Sequence, residues 1–116
     1  MTTAVDVCEC VTVEIFMEKK KNIIVSCVYR APDYSVETFK NFMEGMFART
    51  EQKVAYICGD FNIDLLNPKN NILIDEFTAT MYSMSLYPII TKPTRITTHS
   101  ATLIDNIYIL IIWITI

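Results

Sequence analysis

The sequence predicts a layered α/β fold, and three observations predict it. Short β-branched runs alternate with segments of helical apolar periodicity, in the order strand, strand, helix, strand, helix, strand. Apolar residues make up 52% and charged residues 20% of the chain, a core-rich globular balance with no disordered signature. An apolar run, Val54 to Cys58, stops at Gly59 and is followed by Asp60, Asn62 and Asp64 at alternating positions. At 116 residues the chain is one domain at most.

The first strand comes from Val11, Val13 and Ile15 alternating with Thr12 and Glu14. Glu18 to Asn22 is a charged turn carrying three lysines, and Ile23 to Tyr29 is a second, nearly continuous apolar strand, so the pair reads as a β-hairpin. Pro32 lacks the amide proton a central strand needs and ends the second strand. Ser35 is an N-cap candidate, with Glu37 in the first turn. Phe39, Phe42, Met43, Met46 and Phe47 then share one helical face, up to about Arg49.

Val54 to Cys58 is the third strand, and Gly59 lets the backbone turn sharply at its end. Asp60 and Asn62 share one face of the extended segment, at the carboxyl end of a strand, where open α/β sheets place ligand sites. Two readings fit these residues: oxygen ligands for a hard cation or a phosphate, or an Asx-rich turn closing the strand. Asn71 caps a second helix with Leu73, Phe77, Met81 and Met84 as its buried stripe. Past Ile89-Ile90 a Thr-rich stretch with Lys92, Arg95 and His99 is too polar for a core element. Leu103 to Tyr108 is a strand with Asp105 set inside it, an expensive carboxylate to bury without a partner.

The formal charge of −3 argues against a protein that holds nucleic acid by bulk electrostatics and leaves a local basic patch open. Four cysteines (Cys8, Cys10, Cys27, Cys58) lie in strand-like contexts and read as reduced thiols of an intracellular protein; the Cys8-x-Cys10 pair has no partner pair at zinc spacing. The first residues carry no signal-peptide pattern. The apolar run Ile107 to Ile116 is ten residues long, half of the roughly 20 that a membrane helix needs, and reads as a buried strand with no membrane role. A chain ending on such a strand reads as truncated.

Three motifs then align with something specific. Y-R-A-P from Tyr29, G-D-F-N from Gly59, and P-T-R-I-T…S-A-T-L-I-D-N-I from Pro93 resemble the endonuclease/exonuclease/phosphatase superfamily. More closely, they resemble the endonuclease domain of non-LTR retrotransposon reverse-transcriptase polyproteins, over roughly Cys8 to Ile109. The resemblance implies the four-layer α/β/β/α sandwich, with residues 1–116 a single partial domain, and magnesium-dependent hydrolysis of DNA phosphodiester bonds. It also implies roles. Tyr29 is the hydroxyl that contacts the phosphate, Asp60 the carboxylate that positions and activates the attacking water, and Asn62 the amide that hydrogen-bonds the phosphate. Asp105 orients a catalytic histidine, Thr102 takes the place of a serine three residues before it, and Arg30 is a further phosphate donor. No metal ligand is implied among the residues present: the family's metal-binding glutamate lies upstream of the hairpin, and Glu9 and Glu14 do not match it. The histidine of the terminal S-D-H motif is also missing, since His99 precedes the I-D motif. The resulting expectation is a truncated copy, inactive alone. The alternatives are a fragment that binds the phosphate backbone through Tyr29, Asn62, Lys92 and Arg95, or a non-functional product.

Overall fold

The computed structural model describes residues 2–4, 7–47, 54–66 and 71–110. Ten elements follow one another: β1 (Thr2–Ala4), β2 (Cys8–Ile15), β3 (Ile23–Tyr29), α1 (Val36–Phe47), β4 (Val54–Asp60), α2 (Ile72–Ser83), β5 (Leu86–Pro88), β6 (Arg95–Ile96), β7 (Ala101–Thr102) and β8 (Asp105–Leu110). Six of the strands form one sheet in the order β1-β2-β3-β4-β8-β5, and β6 and β7 pair separately. Among the described residues, only the β3–β4 pair is parallel, because α1 crosses over between them.

The predicted hairpin is the antiparallel β2–β3 pair, in register from Glu9↔Tyr29 to Ile15↔Ile23. Its turn is held by Asn22, whose Oδ1 accepts from the Met17 amide at 3.1 Å while its Nδ2 donates to Glu14 Oε2 at 2.9 Å. Ser35 caps α1 as expected, with Oγ accepting from the Thr38 amide at 3.2 Å. The α1 stripe buries Phe39, Met43 and Phe47 at i, i+4 and i+8, each contributing about 1.5–3 kcal/mol. Met46 is exposed. Asn71 caps α2 through Oδ1 and the Leu73 amide at 3.0 Å. In α2 it is Phe77 and Met81 that are buried, and Ile74 packs against them; Leu73 points to solvent.

Three boundaries differ from the sequence reading. β4 runs on through Gly59 to Asp60, so Gly59 lies inside the strand rather than in a turn after it. Asp105 is the first residue of β8 and half-buried, rather than enclosed inside a strand. β5, Leu86–Pro88, is a strand where the sequence reading places none, and Pro88 is tolerated because β5 is the sheet's edge. The C-terminal run is described only to Leu110, as part of β8; the remainder of that predicted strand lies outside the described residues.

Both helices pack on one face of the sheet. Side chains alternate along each strand, and the helix-facing set includes Cys8, Cys10, Ile24, Val28, Ala55, Ile57 and Tyr108. An aromatic cluster fills the centre: Phe39 stacks on Phe77 with ring centroids 5.6 Å apart, and Phe61 meets Tyr108 edge-on at 5.4 Å. The opposite face carries Val11, Val13, Cys27, Tyr29 and Tyr56, all exposed. Among the described residues, no helix is long and apolar enough to cross a membrane.

Candidate functional site

The site is a register row at one end of the open face. Pairing aligns Glu9 with Tyr29, Tyr29 with Asp60, and Asp60 with Asp105 across β2, β3, β4 and β8. Three residues predicted from separate motifs therefore stand side by side. Tyr29 is 45% exposed, so its hydroxyl is open to a ligand. Asp60 and Asp105 are a directly opposed like-charge pair, an arrangement that costs stability wherever no cation or proton is shared between them.

Why the row takes this shape is written around Gly59 and Phe61. At Gly59 the neighbouring strand comes so close that a Cβ would lie 1.8 Å from the Val28 carbonyl oxygen. Phe61 then turns inward into the aromatic cluster, which leaves Asp60 before it and Asn62 after it at the surface end of the sheet. Asn62 adopts φ 50°, in the left-handed region that asparagine enters more readily than most residues. Its amide N–H donates to Asp60 Oδ1 at 3.1 Å, a short Asx turn that fixes the carboxylate. Its Nδ2 donates to the Arg30 carbonyl at 2.6 Å.

Arg30 lies beneath this loop, with 2% of its surface exposed. Nε donates to the Phe61 carbonyl at 2.7 Å, Nη2 to the Asn62 carbonyl at 2.6 Å, and Nη1 to the Tyr34 carbonyl. Burial lowers its pKa, and the Asp60 and Asp33 carboxylates oppose that shift. The planar guanidinium thus binds three backbone carbonyls and holds the G-D-F-N loop against the end of β3.

The third motif is docked onto the first two by residues the sequence reading did not single out for this role. Asp64 Oδ1 accepts from both the Leu66 and Leu103 amides at 3.0 Å. The Phe61 and Leu65 amides donate to the Ile104 and Leu103 carbonyls at 2.9 and 3.2 Å. Thr94 Oγ1 accepts from the Asp105 amide at 3.2 Å, which positions the first residue of β8. Asn106, 4% exposed, bridges to the segment after β5: its Oδ1 accepts from the Ile90 amide and its Nδ2 donates to the Ile90 carbonyl. A D-x-L pattern gave a local hint for Asp64, but its reach across 39 residues to Leu103 has no local signature. Thr102 sits in β7, paired with Arg95 of β6, half-buried and outside the row. Residues 91–100, with Lys92, Arg95 and His99, are all exposed.

The family implied by the motifs uses a divalent cation. Among the described residues, no group of three or more His, Cys, Asp or Glu side chains gathers to hold a metal ion. The opposed Asp60 and Asp105 offer two carboxylates, the number that commonly holds magnesium when waters and substrate phosphate oxygens complete its shell.

No protein-family profile and no curated protein sequence matches the chain. Solved structures do. The endonuclease domain of TRAS1, a telomere-specific non-LTR retrotransposon, superposes with a TM-score of 0.69 at 18% identity, covering 87% of this chain and 48% of that domain. An endonuclease/exonuclease/phosphatase family protein from Leptotrichia buccalis gives a TM-score of 0.57 at 19% identity, covering 86% of this chain and 41% of the other. The chain spans about half the length of the solved proteins it matches. It has the endonuclease/exonuclease/phosphatase fold over that part.

Proposed function

We propose that the chain supplies the phosphate-recognising edge of a retrotransposon-type DNA endonuclease site and does not complete that site alone. The observation that carries this reading is the row Tyr29–Asp60–Asp105, with Asn62 one turn beyond it. Hydrolysis of a phosphodiester needs an oriented water and donors at the non-bridging oxygens. Asp60, held by the Asn62 amide, accepts a hydrogen bond from that water and takes its proton. The Tyr29 hydroxyl donates to a non-bridging oxygen. Asn62 spends one Nδ2 proton on the Arg30 carbonyl, and the second is directed to the phosphate. Arg30 acts as a positioning residue through its three carbonyls. Asp105 awaits an imidazole whose tautomer it would set. The remaining neutralising charge is of the kind a magnesium ion would supply, and the resemblance places its main protein ligand, a glutamate, outside the residues present.

The test is nicking of supercoiled plasmid in magnesium buffer by the purified chain. The expected result is no nicking above the protein-free control. Nicking that disappears in Asp60→Ala would overturn the incompleteness of the site.

A further inference from the structure

At the end of the β4–β8 pairing the backbone ladder gives way to a side chain. The last strand pair is Asp60↔Asp105. One bond of the next rung forms, from the Phe61 amide to the Ile104 carbonyl at 2.9 Å. Its reciprocal groups go elsewhere. The Phe61 carbonyl accepts from Arg30 Nε at 2.7 Å, and the Ile104 amide donates to Thr94 Oγ1 at 3.3 Å. Hydrogen-bonded and non-hydrogen-bonded pairs alternate along an antiparallel ladder, so Asp60 and Asp105 form a non-hydrogen-bonded pair. Their own backbone groups agree: the Asp60 carbonyl accepts from the Arg30 amide, and the Asp105 amide donates to Thr94 Oγ1. Such pairs are the closer kind, with Cα atoms about 4.5 Å apart.

Two carboxylates facing each other at the last strand pair push the strand ends apart, so the pair needs a tie beyond it. Past the left-handed turn at Asn62, Asp64 supplies one. Its Oδ1 accepts from the Leu66 amide on its own loop and from the Leu103 amide on the segment entering β8, both at 3.0 Å. Leu103 is 3% exposed, and the Leu65 amide donates to its carbonyl at 3.2 Å. Hydrogen bonds to a carboxylate are charge-assisted, roughly twice as strong as neutral ones.

We propose that Asp64 is a positioning residue of the phosphodiester site. Its carboxylate ties the segment entering Asp105 to the loop leaving Asp60, and so fixes where the two carboxylates of the row face each other. The inference rests on the reading of Tyr29, Asp60 and Asp105 as one site. It does not rest on access to the open face of the sheet, because the bonds join two segments at the end of the strands.

The experiment compares Asp64→Ala with Asp64→Asn in the purified chain. Both remove the charge, and only asparagine keeps an oxygen acceptor. Nuclear magnetic resonance reads the cross-strand contact between the α-protons of Asp60 and Asp105, which the closer pair type makes strong. The expected result is a contact kept in the unaltered chain and in Asp64→Asn, and lost in Asp64→Ala. In Asp64→Ala the Leu66 and Leu103 amides should also exchange at least about ten-fold faster, while the β2–β3 amides keep their protection. Duplex DNA binding without divalent metal supplies the readout that a merely structural role would not move. Adding Asp105→Asn should tighten binding about five-fold in the unaltered chain and in Asp64→Asn, by removing a repelling charge. The same addition should change nothing in Asp64→Ala, where Asp105 no longer stands in the row. An unchanged proton contact in Asp64→Ala, no recovery in Asp64→Asn, an equal effect of Asp105→Asn in both variants, or protection lost across the whole sheet would each overturn the proposal. Absence of DNA binding by the unaltered chain would contradict the phosphodiester reading instead, and the proton contact then decides the tie by itself.

Discussion

Gly59→Ala is expected to abolish the cooperative unfolding transition of this chain. The added Cβ would sit 1.8 Å from the Val28 carbonyl oxygen and within 2.9 Å of the Val28 nitrogen, all backbone atoms that no rotamer change can move. Gly59 also has φ 153°, a conformation L side chains rarely adopt. Overpacking costs about 1–3 kcal/mol and a disfavoured backbone a further ~1–3 kcal/mol, together a large share of a small domain's stability. The sheet escapes only by parting β3 from β4, its one parallel pair, which is where Tyr29 meets Asp60. Thermal unfolding followed by circular dichroism checks this. A cooperative melt within a few degrees of the unaltered chain would show that the strands do not approach so closely.

Arg30→Ala is expected to cost about 3 kcal/mol or more and to loosen the G-D-F-N loop first. Three carbonyls, of Phe61, Asn62 and Tyr34, lose a charged donor in a buried setting. Hydrogen bonds to charged groups are worth about 1.5–3 kcal/mol each and do not add fully. Arg30→Lys should recover little, because an ammonium lacks the planar fork that reaches several carbonyls at once. Chemical denaturation gives the stability. Amide exchange gives the order of loosening, with the Phe61, Asn62 and Leu65 amides expected to lose protection ahead of the strands. Uniform loss of protection across the sheet would place Arg30 in the general core instead of under the loop.

Much of this architecture is legible in the sequence because local signals coincide with global ones. The Ser35 and Asn71 caps and the Phe39–Met43–Phe47 stripe appear where their chemistry puts them, whereas the Val11–Ile15 alternation places the strand but not its face: Val11, Val13 and Ile15 are exposed and Cys8 and Cys10 are buried. Asn62 and Asp60 could be singled out because polar residues following an apolar run and a glycine are visible one residue at a time. What stayed hidden depends on distance along the chain. The register Asp60↔Asp105 joins residues 45 apart (105 − 60). The Y-R-A-P resemblance gives Arg30 as a phosphate donor, and only the folded loop shows its guanidinium against three carbonyls. Gly59 was read as a turn because glycine permits both a turn and a close approach, and sequence alone does not separate them. Periodicity assigns Leu73 to the buried stripe with Phe77 and Met81; the structure buries those two and leaves Leu73, in the first turn of α2, exposed.

The proposed contact of the Tyr29–Asp60–Asp105 row with a DNA phosphate is tested most directly by duplex binding, followed by fluorescence anisotropy without divalent metal. Weak binding at low salt is expected, falling about ten-fold between roughly 50 and 200 mM salt if Lys92 and Arg95 neutralise about two phosphates. Tyr29→Phe, an exposed change, should weaken it about ten-fold through one lost charge-assisted hydrogen bond of about 1.5 kcal/mol. Asp60→Asn should tighten it, because the carboxylate repels a phosphate when no cation stands between them. No affinity at low salt, or affinity indifferent to both substitutions, would contradict the claim.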